Sequence, residues 1–164
     1  MSHISVLSLG PDRPAVLLEL DNARRGAPLV WEAMARHHLG AQTPRPYDDD
    51  ATFDRLMALQ NDPQVPEAHR ALLAMTRQGA TVLACEFARA AAAIRQCCVD
   101  WPELAEGTHW PAIAQVFERT SNVSAIGLQM CDSLPNAFLE GPVCPVYQHI
   151  GEPLDFEIET LAAA

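Results

Sequence analysis

Hydrophobic and polar residues alternate near both ends of the chain, and this pattern predicts β-strands there. His3–Leu9 and Ala15–Asp21 are two such stretches, joined by Gly-Pro-Asp-Arg-Pro, a strong turn sequence. Together they predict an antiparallel β-hairpin. Residues 124–131 and 154–159 alternate in the same way, and residues 143–150 form a shorter apolar stretch interrupted by proline. Two or three further strands are therefore predicted in the last quarter of the chain.

Between these regions, apolar residues recur every three or four positions, as in amphipathic helices. Helices are predicted over residues 27–39 and 52–60, and over a segment that begins at Thr108. The strongest signal covers residues 66–98, which predict a long helix or a helix pair. Its apolar stripe consists of Leu72, Met75, Gly79, Leu83, Phe87, Ala90, Ile94 and Cys97.

The separation of strands from helices along the chain predicts an α+β fold, because α/β proteins alternate the two. We expect one antiparallel sheet, formed by the N-terminal hairpin and the C-terminal strands. A central block of four or five helices would cover it. The 164 residues fit one domain spanning residues 1–164.

The charge of the chain is strongly negative and unevenly distributed. There are 11 arginines, no lysine and 21 acidic residues, for a net charge of −10. The charge is +1 over residues 1–46, −5 over residues 47–119 and −6 over residues 120–164, where arginine is absent. The six acidic residues of this last segment are Asp132, Glu140, Glu152, Asp155, Glu157 and Glu159. Such a surface repels phosphate backbones and attracts basic proteins, so direct nucleic-acid binding is not expected.

Several classes of location and chemistry are disfavoured by the sequence. The N-terminus lacks a basic region followed by a long apolar run, and the five cysteines do not form a regular disulfide pattern. These features predict a cytoplasmic protein that does not bind a membrane. We expect a bacterial protein, and the sequence does not distinguish a bacterial from a phage origin. Because lysine is absent, Schiff-base chemistry and a P-loop lysine are excluded. We expect neither a cofactor nor a metal site.

Neighbouring histidine, cysteine and aspartate residues are predicted to have structural roles and not catalytic or metal-binding ones. His37 and His38 lie in a predicted helix, where neighbours point about 100° apart and cannot chelate one metal from a single face. His37 is predicted on the apolar face, as a half-buried residue at the helix end. Cys97 continues the apolar stripe and is predicted to lie in the core. The Asp48-Asp49-Asp50 run is predicted to cap the helix that follows it.

An enzyme with a dispersed site is the main alternative function. A thiol–imidazole pair would combine Cys131 or Cys144 with His109 or His149, and an acid–base site would use one of these histidines or His37. No basic residue lies close in sequence to either cysteine, so nothing local favours a thiolate. No catalytic motif was found, and an enzyme is not expected.

The charge pattern favours a binding module that inhibits or neutralises a basic protein. Residues 154–159 predict a strand with Asp155, Glu157 and Glu159 on one face, and these are the expected contacts. Asp132, Glu140 and Glu152 are secondary candidates. Immunity proteins that neutralise nuclease toxins belong to this class. A phage-encoded inhibitor and a homo-oligomeric structural protein remain further alternatives, and the sequence does not determine the oligomeric state.

Overall fold

The computed structural model describes residues 3–9, 15–21, 26–41, 45–77 and 80–131. Within these residues the fold is α+β, as predicted, with one antiparallel sheet and six α-helices. The strands are β1 (His3–Leu9), β2 (Ala15–Asp21), β3 (Ala80–Leu83) and β4 (Ala125–Cys131). The helices are α1 (Gly26–His38), α2 (Asp50–Ala58), α3 (Glu67–Met75), α4 (Phe87–Asp100), α5 (Pro102–Gly107) and α6 (Trp110–Arg119). Short 3-10 turns occupy Pro46–Asp48, Leu59–Asn61 and Ala84–Glu86.

The sheet combines strands from both ends of the described chain in the order β2-β1-β4-β3. The predicted hairpin is confirmed, with Val6 of β1 opposite Leu18 of β2. On its other side, Val6 is opposite Leu128 of β4, so β4 pairs with the hairpin as predicted. The strands predicted over residues 143–150 and 154–159 lie outside the described residues.

Of the long helix or helix pair predicted over residues 66–98, the structure contains a pair, but the prediction missed a strand between the two helices. α3 ends at Met75, and residues Ala80–Leu83 form β3, which pairs with β4 and occupies an edge of the described sheet. A 3-10 turn then leads into α4. The helical periodicity of the flanking segments concealed this strand. Its backbone hydrogen bonds come from β4, a partner that is distant in sequence.

The ends of three helices follow directly from their sequences. Asp49 caps α2 as predicted, because its carboxylate accepts a hydrogen bond from the Thr52 amide at 2.9 Å. Gly40 lies just beyond α1 with φ of +62°, a conformation that residues with a side chain rarely adopt. Before α6, the Thr108 hydroxyl accepts a hydrogen bond from the Trp110 amide at 3.1 Å.

The main hydrophobic core joins the helices to the sheet. It contains Val6, Ile126 and Leu128 of the sheet together with the buried faces of the helices. Fully buried positions include Leu72 of α3 and Ile94 of α4, both members of the predicted apolar stripe. This packing fixes the positions of α1, α3 and α4 relative to one another, and their ends form the site described next.

Candidate functional site

The acidic residues proposed from the sequence as partner contacts all lie outside the described residues. They are Asp132, Glu140, Glu152, Asp155, Glu157 and Glu159. Cys144 and His149 also lie outside the described residues. The structure places Cys131 opposite His3 at the end of β4, and His109 immediately before α6.

The prediction for the two adjacent histidines of α1 is wrong in its orientation. His37 is exposed, whereas His38 is the half-buried member of the pair. The buried residues of α1 include Val30 and Met34, and His38 follows Met34 by four positions on the same side of the helix. By contrast, the prediction that Cys97 lies in the core is confirmed, since it is fully buried.

Three titratable side chains from three helices form a continuous hydrogen-bonded chain. Nε2 of His38, at the end of α1, lies 3.0 Å from Nδ1 of His69 in α3. Nε2 of His69 lies 2.9 Å from Oδ2 of Asp100, the last residue of α4. The amide of Gln96, one turn earlier in α4, donates to Oδ1 of Asp100 at 2.8 Å. We call His38, His69 and Asp100 the imidazole chain.

The imidazole chain has a buried central residue and two partly exposed ends. His69 is 7% exposed, and its ring lies against Trp101, with the ring centroids 4.2 Å apart and the planes inclined by 35°. Trp101 also contacts His37, at 5.7 Å between ring centroids. The side chain of Asp100 is 33% exposed, and His38 is partly exposed. Solvent can therefore reach both ends of the chain, while its central imidazole is shielded.

The pKa is lowered at both ends of the imidazole chain, mainly by a hydrogen bond at Asp100 and by burial at His38. The hydrogen bond from His69 is the main cause that lowers the pKa of Asp100, and the Gln96 amide acts in the same direction. Asp100 is therefore ionised at neutral pH. Burial lowers the pKa of His38, and the nearby imidazoles of His69 and His37 lower it further, while Asp62 opposes them.

These contacts assign the tautomers of both imidazoles in the neutral state. An ionised carboxylate only accepts, so His69 donates its Nε2–H to Asp100. Nδ1 of neutral His69 then carries a lone pair and must accept, so His38 donates its Nε2–H. Nδ1 of His38 is left with the lone pair. The arrangement can accept a proton at that atom and pass one inwards.

Sequence reasoning missed this site for a physical reason. His69 is 31 positions from His38 and also 31 from Asp100, so only the packing of the three helices brings them together. One signal was available in the sequence, namely the four-residue step from Met34 to His38 along the buried side of α1. Nothing comparable marked His69 or Asp100 as its partners.

A second concave feature lies between β2 and α6. It is an open groove of about 340 Å³ with mostly apolar walls, and Arg119 is the charged residue among those that line it. The exposed Leu17 of β2 forms one wall, and Val116 of α6 belongs to the other.

A candidate metal site and a membrane-spanning helix are both absent from the described residues. No three histidine, cysteine or acidic side chains in them are placed to hold a metal ion. None of the helices in that part of the chain has the length and apolar character needed to cross a bilayer. Comparisons of the chain with family models, curated proteins and solved structures found no match.

Proposed function

We propose that this protein binds a basic protein partner and neutralises it, using the acidic last quarter of the chain rather than a catalytic site. The charge distribution carries the proposal. Residues 120–164 hold six acidic residues and no arginine, and Asp155, Glu157 and Glu159 alternate with apolar residues in the segment that predicts a strand. Asp132, Glu140 and Glu152 are the secondary contacts of this proposal.

Ion pairs within the helices support the proposal, because they give several arginines local counter-charges. Arg95 of α4 bonds both carboxylate oxygens of Glu118, at 3.0 Å each. A bidentate contact of this kind is directional and holds the guanidinium in place.

Two further pairs follow the same pattern. Arg89 contacts Glu67 of α3 at 2.9 Å, and Arg36 of α1 is paired with Glu103 of α5. Arginines held by neighbouring acids are less available to compensate charge elsewhere. The excess negative charge of the last quarter is then available to a partner.

The chemistry of the partner follows from the sign and spacing of the charges. Alternate residues of a strand are about 7 Å apart on one face, so three carboxylates would present a row matching an arginine- or lysine-rich surface. The nucleic-acid-binding face of a nuclease has this character, as expected for the target of an immunity protein or a phage inhibitor. Complementary charge would mainly accelerate association and select the partner.

The proposal can be tested by replacing the three carboxylates and capturing partners from the native lysate. We expect D155N/E157Q/E159Q to lose a partner rich in arginine and lysine that the unchanged protein retains. The matched control is D50N/D54N/E106Q, which removes the same charge from three exposed positions of the helical block. The control should retain the partner.

Salt dependence provides the quantitative measurement with the captured partner. For charge-steered binding, the association rate should fall by about tenfold or more between ~50 and ~500 mM NaCl, since salt screens exposed charges beyond a few ångströms. A smaller loss of rate would contradict the proposal. So would equal binding by the two triple variants, because the effect would then be one of net charge alone.

A further inference from the structure

A buried histidine with a hydrogen bond at each ring nitrogen can exist in only a few protonation states. In the imidazole chain, His69 has Asp100 on one side and His38 on the other, at 2.9 and 3.0 Å. The carboxylate accepts in every state in which it is ionised. The protonation of the two imidazoles therefore determines whether the contact between α1 and α3 has a hydrogen bond.

One added proton is compatible with both hydrogen bonds. A proton from solvent can bind Nδ1 of His38, after which the proton on Nε2 of His38 moves to Nδ1 of His69. His38 ends as the neutral Nδ1–H tautomer whose Nε2 accepts, and His69 becomes an imidazolium that donates from both nitrogens. Only one proton is gained, and both contacts are kept.

The surroundings of His69 favour the charge at that position over His38. The Asp100 carboxylate supplies a direct counter-charge, and the face of Trp101 lies 4.2 Å from the His69 ring centroid, within range of a cation–π interaction. His38 has His37 beside it in α1, and the charge of Asp62 is the weakest of the influences on its pKa.

The dipoles of the helix ends next to the imidazole chain have opposite effects on a positive charge in it. The first turn of α3 disfavours a cation on His69, whereas the last turn of α1 favours one on His38. Among the other charged groups near these turns, Glu67 is paired with Arg89 and Arg36 with Glu103. Arg70 follows His69 directly in α3, and its Nε has no hydrogen-bond partner. Asp100 is the ionised group that contacts His69 directly, with Nε2 and Oδ2 2.9 Å apart.

A second proton is not compatible with the observed geometry. If both imidazoles were protonated, two N–H groups and two positive charges would face each other across 3.0 Å. The hydrogen bond would be lost and the rings would separate. His38 belongs to the last turn of α1, so that turn would move away from α3.

We propose that the imidazole chain binds one proton while holding the end of α1 against α3 and α4. A second proton breaks the hydrogen bond between His38 and His69 and separates the end of α1 from α3. The proposal is independent of the binding function proposed above, because it uses none of the acidic residues of the last quarter. In this proposal the ligand is a proton. The proton enters at Nδ1 of His38, and the resulting positive charge resides on the imidazole ring of His69.

The experiment is a titration of the intact protein with ¹⁵N NMR detection of the imidazole nitrogens, which distinguishes both tautomers from the cation. Above neutral pH we expect His69 and His38 both as Nε2–H tautomers. On acidification, His69 should become an imidazolium while His38 changes to the Nδ1–H tautomer at the same midpoint. Further acidification should charge His38 and increase amide exchange at Leu39, whose N–H bonds the Ala35 carbonyl at 3.0 Å.

Two variants distinguish the coupled protonation of His38 and His69 from independent titration of single histidines. D100N removes the counter-charge beside His69, and we expect His69 to lose its preference over His38 for the added proton. H37Q changes a neighbour outside the chain, and both tautomers should be preserved. The unmodified protein suffices for the tautomer test if a variant does not fold.

Two results would overturn the proposal. One is an Nδ1–H tautomer of His69 at neutral pH, because its contact with Asp100 would then lack the donated proton. The other is conversion of His38 to an imidazolium while His69 remains neutral, because the inward transfer would then not occur.

Discussion

At the scale of single residues, burial gives two cysteines of the same region different chemistry. Cys97 is fully buried in α4, and its thiol donates to the Ala68 carbonyl with Sγ and O 3.3 Å apart. Burial raises the pKa of Cys97, and the nearby Asp100 and Cys98 raise it further. Cys85 lies in the 3-10 turn before α4 and is exposed.

This contrast predicts selective alkylation. Because the thiolate is the reactive form, we expect iodoacetamide at pH 8 to modify Cys85 at least ~100-fold faster than Cys97 in the folded protein. Mass spectrometry of peptides would measure both rates in the same sample. In denaturant the two rates should become similar, which is the control. Equal rates in the folded state would show that Cys97 is not protected as the structure indicates.

The same scale shows what the sequence could reveal about individual side chains. Cys97 was correctly predicted to be buried, since it continues a stripe of apolar positions. The choice between His37 and His38 was wrong. Ala33, four residues before His37, and Met34, four residues before His38, are both buried, so the preceding turn does not distinguish the two histidines. A histidine next to the boundary of a helical face changes its environment with a rotation of one residue, about 100°.

At the scale of elements, β3 shows why a local pattern can mislead. Positions 79, 83 and 87 continue the apolar stripe in steps of four, and such steps fit both the helical period of 3.6 and the strand period of 2. Ala80–Leu83 becomes a strand because β4 supplies hydrogen bonds from more than forty residues away. The short helix α5, with only six residues, was also missed.

The junction between α5 and α6 depends on one buried hydroxyl group. Thr108 is 3% exposed, donates to the Leu104 carbonyl at 2.6 Å and accepts from the Trp110 amide at 3.1 Å. We expect T108V, which keeps the shape of the side chain, to lower the free energy of unfolding by about 1–3 kcal/mol. Urea denaturation at neutral pH would measure the change.

The conservative variant T108S provides the matched control for this junction. It keeps the hydroxyl and removes a methyl group, so we expect a loss of about 1 kcal/mol or less. If T108V were as stable as the unchanged protein, the two hydrogen bonds would not be what joins α5 to α6.

At the scale of the whole molecule, the pairing of β1 with β2 and β4 was the most predictable feature and the imidazole chain the least. Each of β1, β2 and β4 alternates clearly and has a boundary marked by turn residues or a change of pattern, so the three could be located independently. The imidazole chain requires the relative positions of α1, α3 and α4. These depend on packing among residues such as Met34, Leu72 and Ile94, all of them fully buried.

The imidazole chain also predicts how global stability depends on pH. The folded-state pKa of His38 is lowered below its ordinary value of 6.5, so the unfolded chain binds a proton there first. The resulting contribution to stability is complete above about pH 6.5 and is lost as pH falls towards the lowered pKa. The pKa of Asp100 is also lowered, from 3.8, and its contribution is lost only at more acidic pH.

We therefore expect the contribution of His38 to the free energy of unfolding, measured as the difference between the unchanged protein and H38Q, to decrease between pH 7.5 and pH 5.5. The decrease should be under about 1 kcal/mol, because His38 is partly exposed and water screens its interactions. Urea denaturation at both pH values measures it. H38Q removes the titrating imidazole and should reduce the dependence, whereas H37Q should retain most of it, since burial and His69 act on His38 more strongly than His37 does. An undiminished dependence in H38Q would assign the effect to other groups, and the separation of α1 from α3 would then not contribute to acid sensitivity.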